Sequence, residues 1–303
     1  MKMLCIDGGG IRGVFSIAIL HAIEKQFKRP VAEMFELLAG TSTGSIIAAS
    51  AALKISMGDV LEGYIKYGKK IFVKQSKVAI LKSVYSEKFL RRYLQKAFGN
   101  VTLADISKPL LIPAVDITHG KPFVHRSNYG DPIKNDHSIM LWDAVLSSCS
   151  APMYFPPNNI NNHYLAIDGG LWANNPSLVC ITEAIDTFQK STSEIRILSL
   201  GTGLQEIDFS NEHEKDWGII RWLPFQFPSM RMTPKLLDLT LNLLSESITY
   251  HCTHLLGENY LRINKELGQE IPFDDLSFIE KLIDFGDQAY IELKDVITAF
   301  IEQ

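Results

Sequence analysis

Met3-Leu4-Cys5-Ile6-Asp7-Gly8-Gly9-Gly10-Ile11-Arg12-Gly13-Val14 is a short apolar run, a glycine turn and the start of a segment with apolar residues at helical spacing as far as Phe27. Glu36 to Ala39 repeats the pattern, leading through Gly40-Thr41-Ser42-Thr43-Gly44 into an alanine-rich helix that reaches about Leu53. Two successive units of strand, tight turn and helix predict an α/β fold in which helices cover the faces of a mainly parallel sheet. Working outward, helices are predicted over 57–73 and 86–98, and strands over Leu110 to Ile117 and Phe123 to Arg126. A helix from Trp142 to Ser148 stops before Pro152, and Pro156 to Asn162 reads as a loop leading to a strand from Tyr164 to Ile167. A helix near 177–189 and a final strand from Ile195 to Leu200 complete the alternation. Beyond about 205 it fades into two long helices, Lys235 to Leu256 and Phe278 to Phe300. Residues 1–205 therefore read as one α/β unit, and 206–303 as a helical C-terminal extension packed on it.

The composition fits a packed enzyme-sized body. Of 303 residues, 46% are hydrophobic and 21% charged, which excludes a disordered chain. A net charge of -4 excludes a uniformly basic nucleic-acid binder, so neither DNA nor RNA is expected as a partner. Cys5, Cys149, Cys180 and Cys252 are too scattered for a disulfide framework or a C-x-x-C motif, which suits a reducing compartment and a cytoplasmic location. The apolar run before Asp7 is too short for a signal peptide, and the 17 uncharged residues from Leu37 to Leu53, rich in Gly, Ser and Thr, are too few and too polar to span a bilayer.

Three motifs carry chemistry. Gly40-Thr41-Ser42-Thr43-Gly44 matches G-x-S-x-G, in which a serine on a sharp strand-to-helix turn has its hydroxyl pushed outward and the flanking glycines relieve crowding. About 0.1 such matches are expected by chance in a chain of this composition, so the position between strand and helix matters more than the letters. Asp7-Gly8-Gly9-Gly10-Ile11-Arg12-Gly13 contains G-x-G-x-x-G after the first strand, as a dinucleotide site would. That reading also demands an acidic residue at the end of the second strand, where Thr41 and Ser42 stand instead. Adjacent glycine amides can equally converge on one oxygen as an oxyanion hole. Asp168-Gly169-Gly170 is as consistent with a plain turn as with a functional carboxylate. A carboxylate held within hydrogen-bond reach can take a serine proton, giving a two-residue Ser-Asp site. The histidines after it, His213, His251 and His254, fall in the helical extension.

Together the three motifs, in this order, resemble the patatin-like phospholipases. Ser150-Ala151-Pro152, Asn174-Asn175-Pro176 and Ser199-Leu200-Gly201-Thr202-Gly203 agree with the resemblance, which covers residues 3 to about 205. It implies a three-layer α/β/α fold, Ser42 as nucleophile and Asp168 as general base. The amides of Gly9 and Gly10 become the oxyanion hole, Gly8, Arg12 and Gly13 shape the loop, and Gly40, Gly44, Gly169 and Gly170 complete the motifs. The implied reaction is hydrolysis of fatty-acyl esters of membrane phospholipids through an acyl-serine, without metal or cofactor. Tyr260-Leu261-Arg262-Ile263-Asn264 resembles bacterial members, including phospholipase effectors of cyclic-oligonucleotide anti-phage systems. The partners are then a phospholipid at the inner face of the cell membrane and, if that subfamily applies, a cyclic dinucleotide activator; self-association stays open. A NAD- or FAD-dependent oxidoreductase and a non-catalytic storage protein of the same fold are the rival readings.

Charge is unevenly spread. Lys66 to Arg92 holds nine Lys and Arg against Glu87 alone, a local +8 that suits either a solvated surface or attraction to anionic lipid or nucleotide phosphate. Trp217 to Met232 gathers aromatics with Arg221 and Arg231 around Pro224 and Pro228, as a lid or a buried segment would. His251, Cys252 and His254 lack the companions a metal site needs.

Overall fold

The computed structural model describes residues 1–75, 83–130, 138–204, 225–226, 231–232 and 235–303. Its strands are β1 (Lys2–Ile6), β2 (Leu37–Gly40), β3 (Leu110–Asp116), β4 (Lys121–Arg126), β5 (Asn158–Ile160), β6 (Tyr164–Asp168), β7 (Arg196–Leu200), β8 (Phe225–Gln226), β9 (Arg231–Met232) and β10 (Tyr260–Ile263). The helices are α1 (Gly13–Phe27), α2 (Val31–Met34), α3 (Thr43–Ala52), α4 (Met57–Ile71), α5 (Glu87–Phe98), α6 (Leu141–Ser148), α7 (Gly170–Ala173), α8 (Ser177–Asp186), α9 (Lys235–Leu256) and α10 (Ile279–Glu302). The main sheet runs β10–β7–β1–β2–β3–β6–β5, with β4 beside β3, while β8 and β9 pair separately.

From β10 to β3 every pairing is parallel, and β4, β6 and β5 add antiparallel partners. Strand residues alternate between two cores. Leu4, Ile6, Leu38, Leu110, Ile112, Leu198 and Leu200 enter the larger one, with apolar residues of α1, α3, α4, α5, α6 and α10. Met3, Cys5, Leu37, Ala39, Leu111 and Ile197 enter the smaller one, with α8 and α9. The result is a three-layer α/β/α body. A parallel sheet covered on both faces needs strands apolar at every position, which is why β1 and β2 are plain in the sequence.

Two strands of the main sheet depart from the sequence reading. The strand from Ile195 to Leu200 is not the last, because β10 pairs with β7 in parallel from Tyr260↔Ile197 to Ile263↔Leu200 and forms the sheet edge. Arg262 interrupts its apolar run, and the charge is tolerated there because it meets a buried partner described below. Asn158–Ile160, read as loop, forms the short edge strand β5 against β6. The segment after 205 thus supplies a strand to the sheet as well as two long helices.

One register positions the site. β4 occupies one edge of β3 throughout, so β2 and β6 share the other: Ala39 pairs with Leu111, and Asp168 with Ala114. β2 runs parallel and β6 antiparallel to β3, so their C-terminal ends face each other across a gap of three β3 residues, near 10 Å of strand. Pro113, which has no amide hydrogen to give to a ladder, stands at that gap. Ser42 follows the end of β2, and Asp168 is the end of β6.

Candidate active site

Ser42 has φ 53° and ψ -124°, a left-handed conformation that costs a non-glycine residue on the order of 1–3 kcal/mol and persists only where its surroundings enforce it. They do. A Cβ at Gly40 would lie 2.0 Å from the Gly44 carbonyl oxygen, and one at Gly44 would lie 2.2 Å from that of Ile6, so the turn closes only with glycine at both places. Helix α3 starts at the next residue and aims its N-terminus at the site. The Ser42 amide donates to Ser148 Oγ (2.9 Å), whose hydroxyl donates to the Pro113 carbonyl (2.6 Å). The Thr41 hydroxyl donates to the Ala173 carbonyl, fixing the elbow to the segment after Asp168.

Asp168 is buried, accepts a hydrogen bond from the Gly170 amide at 2.7 Å, and lines one cavity together with Ser42, whose hydroxyl acts with that amide to favour the ionised carboxylate. Burial raises its carboxyl, and the two donors only partly offset that, leaving it at about 6. The amide of Asp168 donates to the Ser150 carbonyl (3.1 Å), so the residues that end α6 brace both Ser42 and Asp168. Gly169 packs so tightly that a Cβ would sit 2.2 Å from the Pro113 oxygen.

The glycine-rich loop closes the third side. A Cβ on Gly8 would come within 3.1 Å of the Ser42 Cβ, and one on Gly9 within 2.2 Å of Thr202 Oγ1. Gly10 has φ +58° and faces the Phe273 carbonyl. The Gly8 amide donates to the Asn174 carbonyl and that of Ile11 to Phe273, whereas those of Gly9 and Gly10 have no protein acceptor among the described residues. Two unspent donors beside a serine hydroxyl are what a developing oxyanion needs. Arg12 is buried, with Nε donating to the Gly9 carbonyl (3.3 Å) and Nη2 3.9 Å from Asp238, and Gly13 packs against Thr43.

A family model described as patatin-like phospholipase matches residues 4–181. The chain belongs to the patatin-like phospholipase family. Among its curated relatives are patatin-like protein 1 of Arabidopsis thaliana, 28% identical over 95% of this chain and 81% of that one, and two proteins named cGAMP-activated phospholipase. The one from Escherichia coli is 32% identical over 67% of this chain and 62% of its own, and that from Pseudomonas aeruginosa 27% over 86% and 77%.

Two cavities flank Ser42 of this patatin-like chain. One is walled by Ile46, Tyr64, Gly68, Ile71, Phe72, Leu90 and Phe155, an apolar lining suited to a hydrocarbon chain. The other lies between Asp168, Tyr154, Asn174, Asp238, Leu241 and Phe273. Among the described residues no histidine lines either. Lys77 and Lys82, and most of the 217–232 stretch, lie outside the described residues.

Behind the loop is a network the motifs do not announce. Arg262 Nη1 and Nη2 grip Asp7 at 2.8 and 2.6 Å, Nη1 also reaches Ser199 Oγ (2.9 Å), and Ser245 Oγ donates to Asp7 (3.1 Å). Asn174 links Ser245 (2.9 Å) to the Gly8 carbonyl (3.4 Å). Burial pushes the Asp7 carboxyl up against the opposing pull of Arg262, while Asp7 pushes the guanidinium up further. The bidentate contact keeps the pair charged. Asp7, Asn174, Ser199 and Arg262 stand in separate sequence motifs and Ser245 in none, so it is the fold that brings them together.

Proposed function

We propose that this patatin-like protein is a serine lipid acyl hydrolase that cleaves fatty-acyl esters of membrane phospholipids with a Ser42–Asp168 dyad. The observation that carries the reading is the strained Ser42 on the same cavity wall as a buried carboxylate whose proton affinity burial has raised. Asp168 takes the proton as Ser42 Oγ attacks the ester carbonyl, and the Gly9 and Gly10 amides receive the oxyanion. Collapse expels the lysolipid alkoxide, which takes the proton from Asp168; water then cleaves the acyl-serine with Asp168 again as base. The apolar cavity takes the acyl chain. Residues 1–205 carry this chemistry in the proposal, and 206–303 support it through Arg262.

Asp168 must be ionised to act. With its carboxyl at about 6, kcat/KM for a water-miscible ester is expected to rise about tenfold per pH unit below that value and to flatten above it. A profile flat from pH 4.5 to 8 would remove Asp168 as the base.

The relatives named cGAMP-activated phospholipase support a regulatory reading, with the enzyme idle in the cytoplasm until a cyclic dinucleotide turns it on at the inner membrane face in anti-phage defence. Fatty-acid release from phospholipid vesicles is expected to rise at least tenfold with cGAMP or another member of a cyclic-dinucleotide panel. Equal rates with every member would end this reading and leave the hydrolase intact. Among the described residues no helix is long and apolar enough to cross a membrane.

A further inference from the structure

Helices α4 and α5 wall the apolar cavity with Gly68, Ile71, Phe72 and Leu90. The opposite sides of the same turns are cationic. Lys66, Lys69, Lys70 and Lys74 are exposed at the end of α4, and Lys88 and Arg92 are exposed on α5. The two rows form one surface, because Lys96 of α5 donates to the Tyr67 hydroxyl of α4 (2.9 Å) and the Tyr67 and Tyr93 rings lie 5.1 Å apart. Among the described residues from 63 to 98 the single acid is Glu87, and the ninth cation of that stretch's sequence signal, Arg91, turns inward to Asn158 and Trp142. Three large apolar side chains stand among the lysines: Ile65, 48% exposed, Val73, 52%, and Phe89, 42%.

We infer that the outer face of α4 and α5 docks on the surface of an anionic phospholipid bilayer, with Ile65, Val73 and Phe89 entering the headgroup layer and the lysines meeting lipid phosphates. Basic residues with interspersed apolar ones are the chemistry an anionic interface selects, since the charges draw the protein in and the apolar groups hold it. Lys69, Lys70 and Val73 alternate along the chain with the cavity residues Gly68, Ile71 and Phe72. Docking by this face therefore lays the two helices that wall the acyl pocket on the leaflet. The inference rests on the hydrolase reading for its purpose, but not for its test.

The test uses the full chain, its K69E/K70E/K74E variant and the matching Lys→Gln variant, with vesicles of phosphatidylcholine alone or mixed with phosphatidylglycerol. The wild type is expected to sediment with the mixed vesicles, to be released by salt and to ignore phosphatidylcholine. Charge reversal should weaken this binding roughly a hundredfold and the Gln variant by less, with turnover of a short-chain monomeric ester unchanged. Unchanged vesicle binding by both variants, or equal binding to the two vesicle types, overturns the inference, as does capture by a soluble polyanion such as heparin with none by vesicles. Binding that follows this pattern in a protein with no ester turnover supports the docking face and counts against the hydrolase reading, so the two failures are separable.

Discussion

Ser42→Ala and Asp168→Asn are each expected to lower phospholipid hydrolysis by at least about 10⁴-fold, with KM little changed. The expectation follows from geometry: Ser42 is the hydroxyl on the strained elbow, and Asp168 is the buried carboxylate that shares its cavity. Neither loss should come from unfolding. Ser42→Ala keeps the Cβ and removes only Oγ. Asp168→Asn should stabilise the fold near pH 8, because an ionised buried carboxylate is replaced by a neutral amide. The rise of that carboxyl from 3.8 to about 6 corresponds to roughly 3 kcal/mol. The sign follows from proton binding. A carboxyl raised in the folded state stabilises it when protonated, and that stability is lost as pH climbs through about 6. The advantage of Asn should thus be full above pH 7 and fade as pH falls toward 4. Thermal unfolding across pH checks this. An Asn variant less stable than wild type at pH 8 would mean that Asp168 is held chiefly by favourable contacts, and would weaken its assignment as a primed base.

Arg262→Met is expected to be the most damaging change outside the dyad. It strips the forked donor from Asp7, whose side chain is 3% exposed, leaving a carboxylate with Ser245 as its remaining side-chain donor. Breaking a buried pair from one side typically costs about 3–5 kcal/mol, because the remaining charge is desolvated without compensation. Asp7 leads directly into Gly8, so the loop that presents the Gly9 and Gly10 amides should loosen as well, lowering kcat in whatever protein still folds. Arg262→Met with Asp7→Asn should recover much of the stability, since no buried charge is stranded. Denaturant unfolding of the two variants measures this. A single variant within about 1 kcal/mol of wild type would show that the pair is better solvated than its geometry implies.

The parts of this protein that the sequence disclosed are those whose physics is local. From Met3 onward β1 is apolar, as is β2, because the sheet is covered on both sides, and Gly40 and Gly44 are forced by clashes of 2.0 and 2.2 Å with backbone oxygens nearby. Asp168 was half legible: an Asp-Gly pair signals a turn anywhere, and only its pairing with Ala114 on β3 brings it opposite the end of β2. Ser148 serves the Ser42 amide from 106 residues away, and Arg262 reaches Asp7 across 255. Neither has a local signature, and Arg262 actively disguises β10. The basic stretch was visible as charge. Its division into an outward cationic face and an inward-turned Arg91 depended on how α4 and α5 meet.

Labelling with an activated fluorophosphonate, followed by peptide mapping, tests the central claim most directly. One adduct is expected, on the tryptic peptide that carries Ser42, suppressed in Asp168→Asn and absent in Ser42→Ala. Absence of any adduct on the folded wild-type chain, or labelling undiminished in Ser42→Ala, would contradict it.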